Sequence, residues 1–204
     1  MELKTSKEAR VILDITNRLY SNRLNTTLSG NVSCRLDNEK MLITPSGLDK
    51  ARIDASELSL MDIVTEKLVG GPRQSSEYHV HTRVYKTDAD IKAVVHPHAP
   101  YSMGMVSALG AERIIEEISK SDEEYGYYVT SVASVGRMKA GTAEIGNAVA
   151  MAVKKGAKVV IMEDHGTVGI GETVQKALDR VEYFEYMVKK LHIRHIEELY
   201  QRSF

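Results

Sequence analysis

The sequence predicts an α/β fold in a single domain spanning residues 1–204. Three observations carry that prediction. Helical and extended patterns interleave from end to end, which is how a chain builds a sheet covered by helices. No internal repeat, low-complexity tract or linker interrupts the 204 residues, and that length is enough for one domain to bury its own core. Apolar residues make up 43% and charged residues 27%, which excludes a disordered or collagen-like chain.

The elements follow in order. Thr5 and Glu8 have the spacing of a capping box, and Val11, Ile12, Ile15 and Leu19 recur at helical spacing behind it, predicting a helix over 6–22. Residues 31–36 and 40–44 read as two strands joined at Asp37-Asn38. Asp54 with Glu57 marks a short helical start, and 60–67 reads as a strand closed by Gly70-Gly71-Pro72. Ser75-Ser76-Glu77 opens a helix reaching Tyr85. Residues 91–96 form a buried strand, and 99–109 a helix. Residues 110–140 show no clear period. Thr142 caps a helix through Val149 and Val153, 158–163 is a strand, and Gly166, Gly169 and Gly171 form a glycine-rich turn. From Thr173 a long helix carries Val174, Ala177, Leu178, Val181, Val188 and Leu191 on one stripe, suited to core or subunit packing.

Charge and cysteine content narrow the function. A net charge of -1 offers no electrostatic footprint for nucleic acid or an anionic membrane. Cys34 is the single cysteine, so neither an intramolecular disulfide nor a thiolate metal cluster can form. The first twenty residues lack the apolar core of a signal peptide, and no apolar run reaches membrane-spanning length. The expectation is a soluble, cytoplasmic protein.

The strongest chemical signal is His96-Pro97-His98 at the end of a buried strand. Side chains at i and i+2 of an extended chain point the same way, and Pro97 biases His96 toward extended geometry. Two imidazoles so placed are half of a zinc site. His165, after the strand-like VVIMED and before Gly166, is the candidate third ligand. Three histidines with an open position describe a catalytic rather than a structural site; the alternative is three unrelated loop histidines. His79 and His81 are poor rivals: on a helix they diverge by about 200°. There Glu77 and His81 are neighbours, so His81 orients Glu77 or packs inside. Glu77 is either a general base or a helix-start carboxylate satisfying the dipole. Gly30-Asn31, Ser46-Gly47 and Ser75-Ser76 lie in small-residue turns whose N–H groups and hydroxyls suit a phosphate. The glycine spacing at 166–171 is not that of a dinucleotide-binding turn.

Taken in order, GNVS (30–33), ITPSG (43–47), SSE (75–77), AVVHPHAPYS (93–102) and EDHG (163–166) resemble the class II aldolase/adducin family, its zinc sugar-phosphate aldolases in particular. The resemblance spans about 6–191. It implies a three-layer α/β/α fold with a central, mostly antiparallel sheet, and a C4 homotetramer with active sites at subunit interfaces. It implies Zn2+ (or Mn2+, Co2+ or Ni2+) on His96, His98 and His165, with Glu77 as the catalytic carboxylate and a fourth ligand when substrate is absent. Asn31, Ser46, Gly47, Ser75 and Ser76 become the phosphate cradle. The implied reaction is reversible cleavage of a ketose 1-phosphate, such as L-fuculose 1-phosphate, to dihydroxyacetone phosphate and an aldehyde. Methylthioribulose-1-phosphate dehydratase and sugar-acid phosphate decarboxylase use a similar site. Pentulose-phosphate 4-epimerases usually carry Asp where this chain has Glu77. Adducin-like scaffolds lack the metal histidines. Two departures touch the aldehyde end. No tyrosine aligns with the one that protonates the leaving group, although Tyr125, Tyr127 and Tyr128 lie in that region, and Leu28 stands where a hydroxyl residue is usual.

Overall fold

The structure, a computed structural model, describes residues 6–203, and its spine is an eight-stranded sheet. In chain order the strands are β1 (Asn31–Arg35), β2 (Lys40–Ile43), β3 (Ser59–Asp62), β4 (Leu68–Gly70), β5 (Ala93–His96), β6 (Val132–Val135), β7 (Val159–Met162) and β8 (Gly166–Gly171). Across the sheet they run β4-β3-β2-β1-β5-β8-β7-β6. Every neighbouring pair is antiparallel except β6 and β7. The helices are α1 (Lys7–Ser21), α2 (Tyr78–Tyr85), α3 (Pro100–Leu109), α4 (Ala111–Ser121), α5 (Ala143–Lys154) and α6 (Val174–Gln201).

Strands β2, β5 and β7 carry apolar side chains on both sides, shared between two helical layers. Leu42, Ala93 and Val95 pack under α1 and α6, and Val159 and Ile161 under α3, α4 and α6. Their neighbours Met41, Ile43, Val94, Val160 and Met162 face α2 and α5. Burying each such side chain contributes about 1.5–3 kcal/mol. A one-residue slip would exchange the two sets, so packing fixes the register. The architecture is therefore three-layer α/β/α. Among the described residues no helix is long and apolar enough to cross a membrane.

Several elements differ from their sequence reading. Thr5 lies outside the described residues, and Ser6 caps α1 by accepting from the Ala9 N–H at 3.0 Å. The span 60–67 is not one strand. It turns after Asp62, whose carboxylate accepts from Thr65 N at 2.7 Å, and passes through Glu66 at φ +60° before β4. The Gly166–Gly171 stretch is a buried strand, not a turn. A Cβ on Gly169 would come 2.3 Å from Ala177 O, so glycine there lets α6 lie directly on β8. The aperiodic stretch holds α4, a π-helical turn Tyr125–Val129 and β6. Cys34 is buried, and burial, with the charge of Glu8 adding, pushes its thiol up to about 11.

Two buried charged groups hold the layers in place. Arg35 donates to the carbonyls of Ile91 (2.9 Å), Asp88 (3.1 Å) and Tyr85, tying the end of α2 to the start of β5. Glu185 of α6, 6% exposed, accepts from the N–H groups of Tyr101 and Ser102 at 2.8 Å each and from the Ser102 hydroxyl. It caps α3, whose own N-cap residue, Ala99, cannot. Glu185→Ala leaves these donors buried without an acceptor. The expected cost is about 2–3 kcal/mol in a urea titration, with Glu185→Gln losing less.

Candidate functional site

The site is assembled where strands end. His96 closes β5, and the antiparallel register sets Asn31, the first residue of β1, directly opposite it. His98 follows two residues on, with its backbone N–H held by Asn25 Oδ1 at 2.9 Å. His165 sits in the tight turn from β7 to β8, where Asp164 has φ +57°. A Cβ at Gly166 would come 2.4 Å from Pro97 O and 3.0 Å from His96 Cε1. Glycine at that point lets this hairpin close on the His-Pro-His segment. Glu77 is the N-cap of α2 but spends no side-chain bond on capping, so its carboxylate is free to face the histidines.

These four side chains converge. One ligand atom from each of Glu77, His96, His98 and His165 lies within 4.8 Å of all the others. His96 Nε2 is 3.0 Å from His98 Nε2 and 3.1 Å from Glu77 Oε2. His165 Nε2 is 2.9 Å from Glu77 Oε1. His96 Nδ1 is 2.8 Å from Thr167 O, which can only accept, so Nδ1 carries the hydrogen and Nε2 of the neutral ring presents a lone pair. Nitrogen lone pairs cannot face one another at 3.0 Å without a proton or a cation between them. Glu77 Oε1 is also buried without a hydrogen bond. Three imidazoles and a carboxylate, mostly buried and short of donors, are the donor set of a divalent metal. Burial alone would raise the Glu77 carboxyl, but the charge of His96 and contacts with His165, His96 and His98 hold it well below the usual carboxylate range. Burial lowers His98, whereas at fully buried His96 the carboxylate of Glu77 outweighs burial and raises the ring.

Behind the cluster runs a chain of buried polar groups whose direction is dictated by the charge of Glu77. Asn31 Nδ2 donates to Glu77 Oε2 at 2.9 Å, so Asn31 Oδ1 must face and accept from His81 Nε2. His81 Nδ1 then accepts from Ser33 Oγ at 2.7 Å, and Ser33 Oγ accepts from Tyr85 OH at 2.8 Å. Burial pushes His81 down to about 3, with the charge of His96 adding and that of Glu77 opposing; the ring is neutral, as the chain requires. His81 thus acts on Glu77 through Asn31. His79 stands apart, paired with Glu66 at 2.7 Å.

A cleft of about 240 Å³ opens beside the cluster. Asn31, Ser46, Gly47, Ser75 and Ser76 line it together with Glu77, His98 and His165. Two segments are laced to shape it: Ser46 N donates to Arg73 O at 3.0 Å and Ser75 N to Thr44 O at 3.2 Å. Exposed Leu28 reaches the rim. Three lining residues, Ser29, Lys50 and Ala140, lie outside what the sequence singled out. Lys50, three residues beyond Gly47, carried no signal beyond its nearness to that turn. Tyr125, Tyr127 and Tyr128 do not line the cleft of their own chain; Tyr127 is exposed and Tyr128 stacks on Tyr183.

The family model described as Class II Aldolase and Adducin N-terminal domain matches residues 10–192, and the chain belongs to that family. It is 30% identical over 173 residues to a 5-methylthioribulose-1-phosphate/5-deoxyribulose-1-phosphate aldolase of Rhodospirillum rubrum, covering 82% of this chain and 72% of that protein. It is 29% identical over 166 residues to a 3-oxo-tetronate 4-phosphate decarboxylase of Haemophilus influenzae, covering 79% and 75%. Among solved structures, one named L-fuculose 1-phosphate aldolase superposes with a TM-score of 0.77 at 26% identity, covering 96% of this chain and 90% of the other.

The cluster is expected to bind one divalent ion per chain. His98→Ala or His165→Ala should reduce the metal retained after dialysis by about tenfold or more, measured by elemental analysis against folded protein. Retention equal to wild type in both variants would remove the cluster as the metal site.

Proposed function

We propose that this chain is a zinc-dependent aldolase that reversibly cleaves a ketose 1-phosphate of the L-fuculose 1-phosphate kind into dihydroxyacetone phosphate and an aldehyde. One observation carries the reading: the His/Glu cluster and a cradle of hydroxyl and amide groups share the walls of a single cleft. His96, His98 and His165 would hold the ion. When bound there, zinc supplies Lewis acidity, polarising a substrate carbonyl and stabilising the negative charge that develops on its oxygen.

The rest is the work of the chain. Ser46, Gly47, Ser75, Ser76 and Asn31 hold the phosphate at one end of the cleft and so fix the carbon skeleton against the cluster. Glu77 takes the proton from the carbon beside the carbonyl of dihydroxyacetone phosphate in condensation and returns it after cleavage. Its carboxylate stays aimed because Asn31 and His81 hold it from behind.

A second reading is favoured by the decarboxylase-named relative. On the same residues, a phosphorylated sugar acid loses carbon dioxide and Glu77 returns a proton to the carbon. The aldehyde side also bears on assembly. A hollow of about 720 Å³ beside His98, lined by Tyr20, Asn25, Thr26 and Met103, opens outward. We infer that a neighbouring subunit of a C4 homotetramer closes it. Light scattering is expected to return four times the chain mass.

Release of dihydroxyacetone phosphate from a panel of ketose 1-phosphates should stop with a chelator and return with zinc. Glu77→Gln should keep its metal and lose turnover by about 10²–10⁴. Carbon dioxide from a phosphorylated sugar acid, with no dihydroxyacetone phosphate from any ketose, would replace the aldolase reading with the decarboxylase.

A further inference from the structure

We propose that Lys50 is the cationic anchor of the cleft, pairing its ammonium with the phosphate of the substrate; this rests on the reading that the cleft takes a sugar phosphate. Lys50 is only 6% exposed and lines the same cleft as Ser46, Gly47, Ser75, Ser76 and Glu77. Its Nζ makes one hydrogen bond, to Leu28 O at 2.6 Å. No carboxylate of the described residues lies within ion-pair distance of it. A lysine is almost never this buried unless paired, because an uncompensated interior charge is costly. Burial draws its pKa down, and only the more distant charge of Glu77 works against that. The ammonium has two further N–H donors, and the cleft is where an acceptor for them can arrive.

The residues around it lack what Lys50 supplies. Serine hydroxyls, a glycine N–H and the Asn31 amide are neutral donors, whereas a phosphate monoester carries close to two negative charges near neutral pH. In a cleft that already holds Glu77, a dianion needs a fixed positive charge at its far end, and lysine serves as a point charge of that kind. The bond to Leu28 O and the Lys50 N–H bond to Thr27 O at 2.9 Å keep the ammonium at one place on the wall. The same two bonds staple the 25–30 loop, so a purely structural role is the rival explanation, and the test must separate the two.

The probe is inorganic phosphate, titrated calorimetrically into the purified holoprotein. Lys50→Met keeps the stem and removes the charge, and Lys50→Gln serves if the first variant does not fold. Phosphate affinity should fall about tenfold or more, while metal content and the urea midpoint stay near wild type. Ser46→Ala and Ser76→Ala should also weaken it. If the serine variants lose affinity and Lys50→Met does not, the Lys50 proposal fails and the cradle stands. A Lys50→Met variant that loses stability in step with affinity overturns the proposal in favour of the structural staple. A wild-type protein that ignores phosphate to tens of millimolar overturns Lys50 and the cradle together.

Discussion

The antiparallel register of β1 on β5 is the constraint on which the rest of the site depends. It sets Asn31 opposite His96, and from that one pairing both halves of the site follow. His96 starts the His-Pro-His segment that leads into α3. Asn31 reaches Glu77 with one end of its amide and His81 with the other. The apolar layers hold the register, since a slip by one residue would send Val32 and Val94 to the wrong faces. The geometry of the site is therefore a consequence of core packing.

Neutral and charged buried groups then share one logic. A carboxylate that can only accept fixes which way the Asn31 amide lies, and each partner in turn has a single allowed role back to Tyr85. A buried network satisfied in one direction only is stiff, because a flip leaves two acceptors or two donors facing each other at a cost of about 1–3 kcal/mol. Stiffness behind Glu77 contrasts with its other side, where Oε1 faces His165 and is buried without a hydrogen bond. Satisfied groups hold the wall, and a buried oxygen without a hydrogen bond calls for a partner that the chain itself does not supply.

Two of the three glycines of β8 show how backbone clearance serves both purposes. Gly169 gives up a side chain so that α6 can lie on β8, and Gly166 does so beneath the Pro97 carbonyl and the His96 ring. α6 meanwhile reaches back through Glu185 to hold the first turn of α3, so the helix that covers one face also steadies the segment carrying His98.

Much of this was legible in the sequence because some signals are local. The i, i+2 histidines before a proline, the capping pair Asp54 and Glu57 and the alternation of helical and extended patterns are set by neighbours along the chain, and with the ordered motifs they specified the family and the α/β class. The β3–β4 turn, the conversion of a glycine-rich run into a buried strand and the contents of 110–140 were not legible. Their causes are contacts made across the fold, such as Gly169 against Ala177. At the site, the ordered motifs named Glu77, His96, His98, His165 and Asn31 but not Lys50, and the contacts among them are again made across the fold. Glu77 and His165 are distant in sequence from His96, and Lys50 and Asn31 become members of one wall only when β1, the 44–50 turn and the start of α2 are brought together. Sequence determined which chemistries were present and which elements carried them. Tertiary structure alone decided which atoms meet, because hydrogen-bond direction, burial and charge balance are properties of groups in space.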